Sequence, residues 1–191
     1  MEKYTAASTH NWYLLSHIMH IREVPQLRTK HYDRANAVSY AHKWAFGRNP
    51  QYYDFEHLGG DCTNFASQVL YAGAGVMNPT PTFGWYYHSL NNHTPAWTGV
   101  EFLYSFLVNN RGIGPVAMET DVSQVEPGDI VQLSFNGWVF GHSPIIVSVG
   151  EHPSPSNILV AAHTYDADNY PLNSYSYARV RFLHITHVSV W

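Results

Sequence analysis

The spacing of apolar residues changes character a little past the middle of the chain. As far as residue 109 it follows helical spacing, and after Gly112 it breaks into short β-branched runs. Trp12, Leu15, Ile18 and Met19 fall on one helical face and Pro25 ends it, which predicts an accessory helix within residues 1–30. A second helix is predicted from Asp33 as its cap, with Ala37, Val38, Ala41, Trp44 and Ala45 buried and Gly47 as its stop. Arg48-Asn49-Pro50 then opens a loop rich in tyrosine and acid, QYYDFEHLGG. A third helix starts at or near Cys62, capped by Asp61, with Phe65, Ala66, Val69 and Leu70 as its apolar stripe and Gly73 as its end. Residues 75–97 are rich in Pro, Asn and aromatics and too long for a plain connection, so they are expected to wall a site. A fourth helix is expected over 98–109, with Phe102, Leu103, Phe106 and Leu107 inward.

The runs VEPGDIVQLSF, GHSPIIVSVG, NILVAAHTYDA and SYARVRFLHITHV, separated by Gly, Pro, Asn and Ser, read as an antiparallel meander. Helices first and strands later is the order of an α+β domain, with N-terminal helices packed on a C-terminal sheet of about four to six strands. At 191 residues the chain suits one domain, residues 31–191, preceded by a helical extension, residues 1–30.

Composition changes this picture little. Apolar residues make up 45% and charged residues 13%, which excludes disorder. The 6 Trp, 14 Tyr and 9 Phe suit a groove for sugars or peptides, although core filling accounts for most of them. Net charge is −4 without a basic stripe, which argues against a nucleic-acid partner. No run of apolar residues is long enough to span a membrane, and the N-terminus lacks the pattern of a signal peptide. His17 and His20 are spaced for a metal but find no further ligand in the sequence, so neither metal nor cofactor is expected.

The candidate chemistry centres on the single cysteine, Cys62, in GGDCTNFASQVL. A lone thiol forms no internal disulfide and no multi-cysteine metal site. A helix N-terminus stabilises thiolate, the nucleophilic form, whereas the adjacent Asp61 carboxylate opposes it. The alternative is a small buried hydrophobe. A cysteine nucleophile needs a base and a group that orients the base. His142 opens one strand run and His163 ends the next, so both imidazoles can project from one end of the sheet. His142 can also be read as a turn residue and His163 as a satisfied sheet residue, with Asp166 or Asp168 as the orienting acid. Gly128-Asp129 reads as a turn entering a strand.

The segment YDRANAVSYAHKWAFGRNPQYYDFEHLGGDCTNFASQVLYAGAGVMN closely resembles the opening of the putative amidase domain family, a bacterial branch related to NlpC-type cell-wall peptidases and CHAP amidases. GWYYH, PAWTG, PGDIVQ, GHSPIIV and HTYDA continue the resemblance across about residues 31–170. It implies a papain-like, NlpC-like fold in which Cys62 is the nucleophile, His142 the base and His163 the third polar group. Asp61, Gln68, Trp85 and Tyr86 become candidates for substrate contact. The backbone N–H of Cys62 is one oxyanion donor, and Tyr52, Tyr53, His57 or Gln68 could supply a second.

The function this resemblance implies is a cysteine amidase or peptidase acting through a thioester on peptide amides, with peptidoglycan stem peptides as the expected substrate. Two alternatives use the same fold: a cell-wall peptide- or glycan-binding module without catalysis, and an acyltransferase of transglutaminase type. A cell-wall substrate would require export, for which no signal is visible. Oligomeric state is not written in the sequence.

Overall fold

Small side chains let the first two helices pack closely. α1 (Arg34–Trp44) starts where the Asp33 carboxylate accepts a hydrogen bond from the Asn36 backbone N–H at 3.0 Å. Ala37, Ala41 and Ala45 are fully buried against α2 (Cys62–Ala74). The end of α2 is Gly75, left-handed at φ 68°, whose N–H returns to the Tyr71 carbonyl. Gly73, expected as the stop, lies inside the helix instead. A Cβ there would sit 2.3 Å from the ring of Tyr32, so this glycine makes room for a neighbour.

The computed structural model describes residues 26–191. The accessory helix expected from Trp12, Leu15, Ile18 and Met19 lies outside the described residues, as do His17 and His20. Just before residue 31, Arg28–Lys30 form a strand, β1, that belongs to the main sheet. The extension expected over residues 1–30 therefore ends in a piece of the domain itself.

Residues 75–97 are ordered by a hairpin, β2 (Tyr87–Ser89) with β3 (Asn92–His93), and by an Asn78–Trp85 bridge. A short turn of helix, α3 (Pro95–Thr98), leads into α4 (Val100–Asn109). Leu103, Phe106 and Leu107 of α4 are buried, whereas Phe102 is 61% exposed, against the expectation that it faces inward. Residues 103, 106 and 107 share one helical face, and Phe102 lies beside it against Gly99.

The C-terminal half forms β4 (Gly114–Thr120), β5 (Ile130–Ser134), β6 (Ile145–Val149), β7 (Ile158–Ala162), β8 (Ala167–Pro171) and β9 (Arg179–Val190). Among the described residues the main sheet has seven strands, in the order β1-β9-β5-β6-β7-β8 with β4 also on β9. All its pairings are antiparallel. β9 is the spine: β5 and then β1 occupy one of its edges and β4 the other.

Both faces of the sheet are covered. Ile145 and Val147 join the helix-side core, while Ile146 points to a second core with Val131, Leu133, Val160 and Phe182. This is why the strand runs read as continuously apolar. Asp129 is fully buried between turn and sheet, accepting from Arg34, the Ile185 N–H and the Glu126 N–H, so it is a structural hub. No helix among the described residues is long and apolar enough to cross a membrane.

Candidate active site

Two glycines deliver the chain to the start of α2. Gly59 and Gly60 hold φ of 100° and 103°, values that disfavour any side chain. Cys62 follows as the first residue of the helix, where its own N–H has no intrahelical acceptor. Its side chain is 7% exposed. The sulfur lies 3.8 Å from the Thr63 hydroxyl and 4.0 Å from the Gly141 carbonyl, and the Ser143 backbone N–H also points to it. Burial pushes the thiol up, the Asp61 carboxylate adds to this, and the Ser143 and Thr63 hydrogen bonds oppose it.

His142 stands opposite on the strand side. It bridges to Leu133 just before β6, its backbone carbonyl accepting from the Leu133 N–H at 3.0 Å. Pro144 lies between this bridge and β6, and its carbonyl accepts from the Val131 N–H, so the interruption falls inside the sheet and not at an edge. The imidazole is 4% exposed, between the rings of Phe135 and Tyr175. Its Nε2 is buried without a hydrogen-bond partner. Burial lowers its pKa to about 4. Cys62 and His142 line one cavity of about 280 Å3, with Gly59 and Gly60 on one side and Phe135 and Tyr175 on another.

His163 is not part of that cavity. Its Nε2 donates to the Trp44 carbonyl at 2.9 Å, and its Nδ1 meets the Asp61 carboxylate at 2.5 Å. The ring stacks on Phe65, with centroids 4.0 Å apart. Both nitrogens are thus committed, and His163 does not orient His142. Instead it joins three elements: the last carbonyl of α1, the residue that precedes Cys62, and the end of β7. Asp61 is itself fully buried. It also accepts from the Phe55 N–H and the Asn64 side chain, each at 2.8 Å. Its side chain makes no cap bond to the α2 backbone, and it does not line the Cys62 cavity.

The other expected contacts lie elsewhere. Trp85 is fully buried, donating to Ser67 and packed on Trp97 and Phe106. Gln68 is buried and accepts from the Tyr40 hydroxyl at 2.7 Å. Tyr86 is half-buried beside His88. Residues 75–97 do not wall the Cys62 cavity; Trp85, Tyr87, Ala96 and Trp97 instead enter the core, where Trp97 also donates to Asn64 on the buried polar face of α2. Tyr52, Tyr53 and His57 do not line the cavity either. Asp166 is held by Arg48 through two hydrogen bonds, at 2.9 and 3.1 Å, and Asp168 by His42 at 2.8 Å, so neither orients His142.

Sequence reasoning missed Arg48, the Trp44 carbonyl and Thr164. Thr164 accepts from the Asp61 N–H at 2.9 Å and so fixes the residue before the cysteine. One signal for Arg48 was present: it is the single cation ahead of an acid-rich loop.

Comparison with known proteins identifies the family. The profile described as "Putative amidase domain" matches residues 31–186. The chain belongs to this putative amidase domain family. Among relatives of the domain is the uncharacterized protein YhbB of Bacillus subtilis (strain 168), 34% identical over 144 residues, which cover 73% of this chain and 44% of that protein. A second is the uncharacterized protein YjcM of the same organism, 28% identical over 128 residues, covering 62% of this chain and 28% of that protein. The chain thus spans less than half the length of either relative. No solved structure matches it.

Proposed function

We propose that this amidase-family domain is a cysteine amidase with Cys62 as nucleophile and His142 as its base and acid. The observation that carries the reading is the shared cavity, which a helix-terminal thiol and a neutral, buried imidazole line together. A nitrogen of the His142 imidazole takes the thiol proton as sulfur attacks the amide carbonyl carbon. The carbonyl oxygen takes up the negative charge beside the free N–H of Cys62. His142 then returns the proton to the leaving nitrogen as the C–N bond breaks, leaving a thioester on Cys62. Water, deprotonated by the same nitrogen, releases the acid and restores the thiol.

Asp61 and His163 act as positioning residues, fixing the backbone that presents Cys62. The substrate class we assign is a peptide amide, with bacterial peptidoglycan stem peptides as the first to test. The family description supports an amide substrate; the stem peptides follow from the resemblance to cell-wall peptidases. Cys62→Ala is expected to abolish cleavage of stem peptides while leaving the far-UV circular dichroism unchanged. His142→Ala should cost about a thousandfold or more in kcat/KM, because the two groups work as a unit. A Cys62→Ala protein with full activity would contradict the proposal.

A further inference from the structure

A second, larger cavity adjoins the Cys62 cavity, with Tyr165 and Tyr175 lining both. The Cys62 cavity is the inner compartment and the second the outer. The outer compartment has a volume of about 490 Å3. Its aromatic rings include Phe46, 70% exposed, and Tyr165, 86% exposed, together with Tyr170 and Tyr175. Its polar groups are Asp166, Asp168 and the serines at 174 and 176, and no lysine or arginine lines it. Exposed aromatic faces beside carboxylates recognise cations.

The charge balance points the same way. Arg48, the guanidinium behind Asp166, also faces Asp54 at 3.5 Å, Glu56 at 3.6 Å and Asp61 at 3.7 Å. One cation is thus divided among four carboxylates. Asp168 meets His42, which carries charge only when protonated. The region around the compartment therefore carries a surplus of negative charge, of which Asp166 and Asp168 line the compartment itself. Thr164 and Tyr165 are both left-handed, at φ 56° and 70°, a conformation non-glycine residues rarely hold. Thr164 is fixed there by its bonds to the Asp61 N–H and to Glu56, and this sets Tyr165 at the boundary between the compartments.

We propose that the outer compartment binds a primary ammonium group on the amide substrate, placing it beyond Tyr165 from the scissile bond. The assignment rests on the amidase reading of Cys62. The ammonium can belong to a basic side chain or to a free peptide N-terminus.

The test uses the Cys62→Ala protein, so binding is read without turnover. Calorimetric titration compares four probes: an end-blocked tripeptide with a central lysine, its ε-acetylated twin, a tripeptide amide with uncharged side chains and a free N-terminus, and its N-acetylated twin. Binding of the first identifies a side-chain ammonium, and binding of the third identifies an N-terminal one. Acetylation of the lysine, or of the free N-terminus where that is the group bound, is expected to weaken binding by about tenfold. Tyr165→Gly removes the ring and suits the left-handed backbone, so the turn survives, and it should weaken binding by about fivefold. Equal binding of the charged and acetylated probes, no binding by either charged probe, or an unchanged affinity in Tyr165→Gly would overturn the proposal. Failure of Cys62 to become acylated in the wild-type protein would instead remove the amidase reading and leave these binding results standing.

Discussion

Burial acts in opposite directions on the two reacting groups. It pushes the Cys62 thiol up and His142 down to about 4, so both are neutral in the free site near pH 7. The helix N-terminus alone had suggested a preformed thiolate, and the cost of burying charge outweighs it. Proton transfer is then coupled to attack on the substrate. The sign of the pH dependence follows. In the proposed mechanism the base is the neutral imidazole, present above its pKa, so kcat/KM should hold as pH falls past 6 and decline only near pH 4. A pH–rate profile whose acid limb falls near 6.5, the ordinary imidazole value, would contradict this electrostatic picture. The placement of Cys62 at a helix start was legible in the sequence, because a glycine turn, an acid and an apolar helical stripe mark one. The bonding of His163 was not, because a histidine's partners depend on which residues the fold brings to its two nitrogens, here 102 and 119 positions away.

At the scale of elements, His163 is the joint where α1, α2 and β7 meet. It donates to the Trp44 carbonyl at the end of α1, which also accepts from the Gly47 N–H, and holds the carboxylate at the start of α2. His163→Gln breaks this buried pair and is expected to cost about 3–5 kcal/mol of stability by urea denaturation. Its kinetic signature separates positioning from catalysis: the plateau of kcat/KM should fall while the acid limb stays near pH 4. A shifted limb would mean that His163 tunes His142 after all. The helices themselves were largely readable, since the Asp33 cap and the alanine face of α1 are local signals. Gly73 misled because a glycine needed for contact with Tyr32 resembles one that ends a helix. The strands β4 and β8 went unread because GPVAMET and ADNYP are partly polar and carry proline.

For the whole molecule, β9 gathers the ends of the domain. β1 pairs with its last residues, Lys30 reaches the Ala74 carbonyl at the end of α2, and Arg28 donates to the Trp191 carbonyl. β1 thus joins the sheet from before residue 31, where sequence patterning placed the start of the domain. That patterning registers runs of apolar residues, and Arg28–Lys30 contribute backbone hydrogen bonds with exposed side chains. A chain truncated through Lys30 should lose about 1–3 kcal/mol relative to the full chain, measured by chemical denaturation. Equal stability would show that β1 is dispensable.

The central claim is that Cys62 is a nucleophile served by His142, and it can be tested without knowing the substrate. Native protein would be exposed to p-nitrophenyl acetate near pH 7, with intact mass and peptide mapping to locate the adduct. The account predicts a single acetyl thioester on Cys62, labile to hydroxylamine, formed much more slowly in His142→Ala. No acetylation of Cys62 in the folded protein, or the same rate with and without His142, would contradict it.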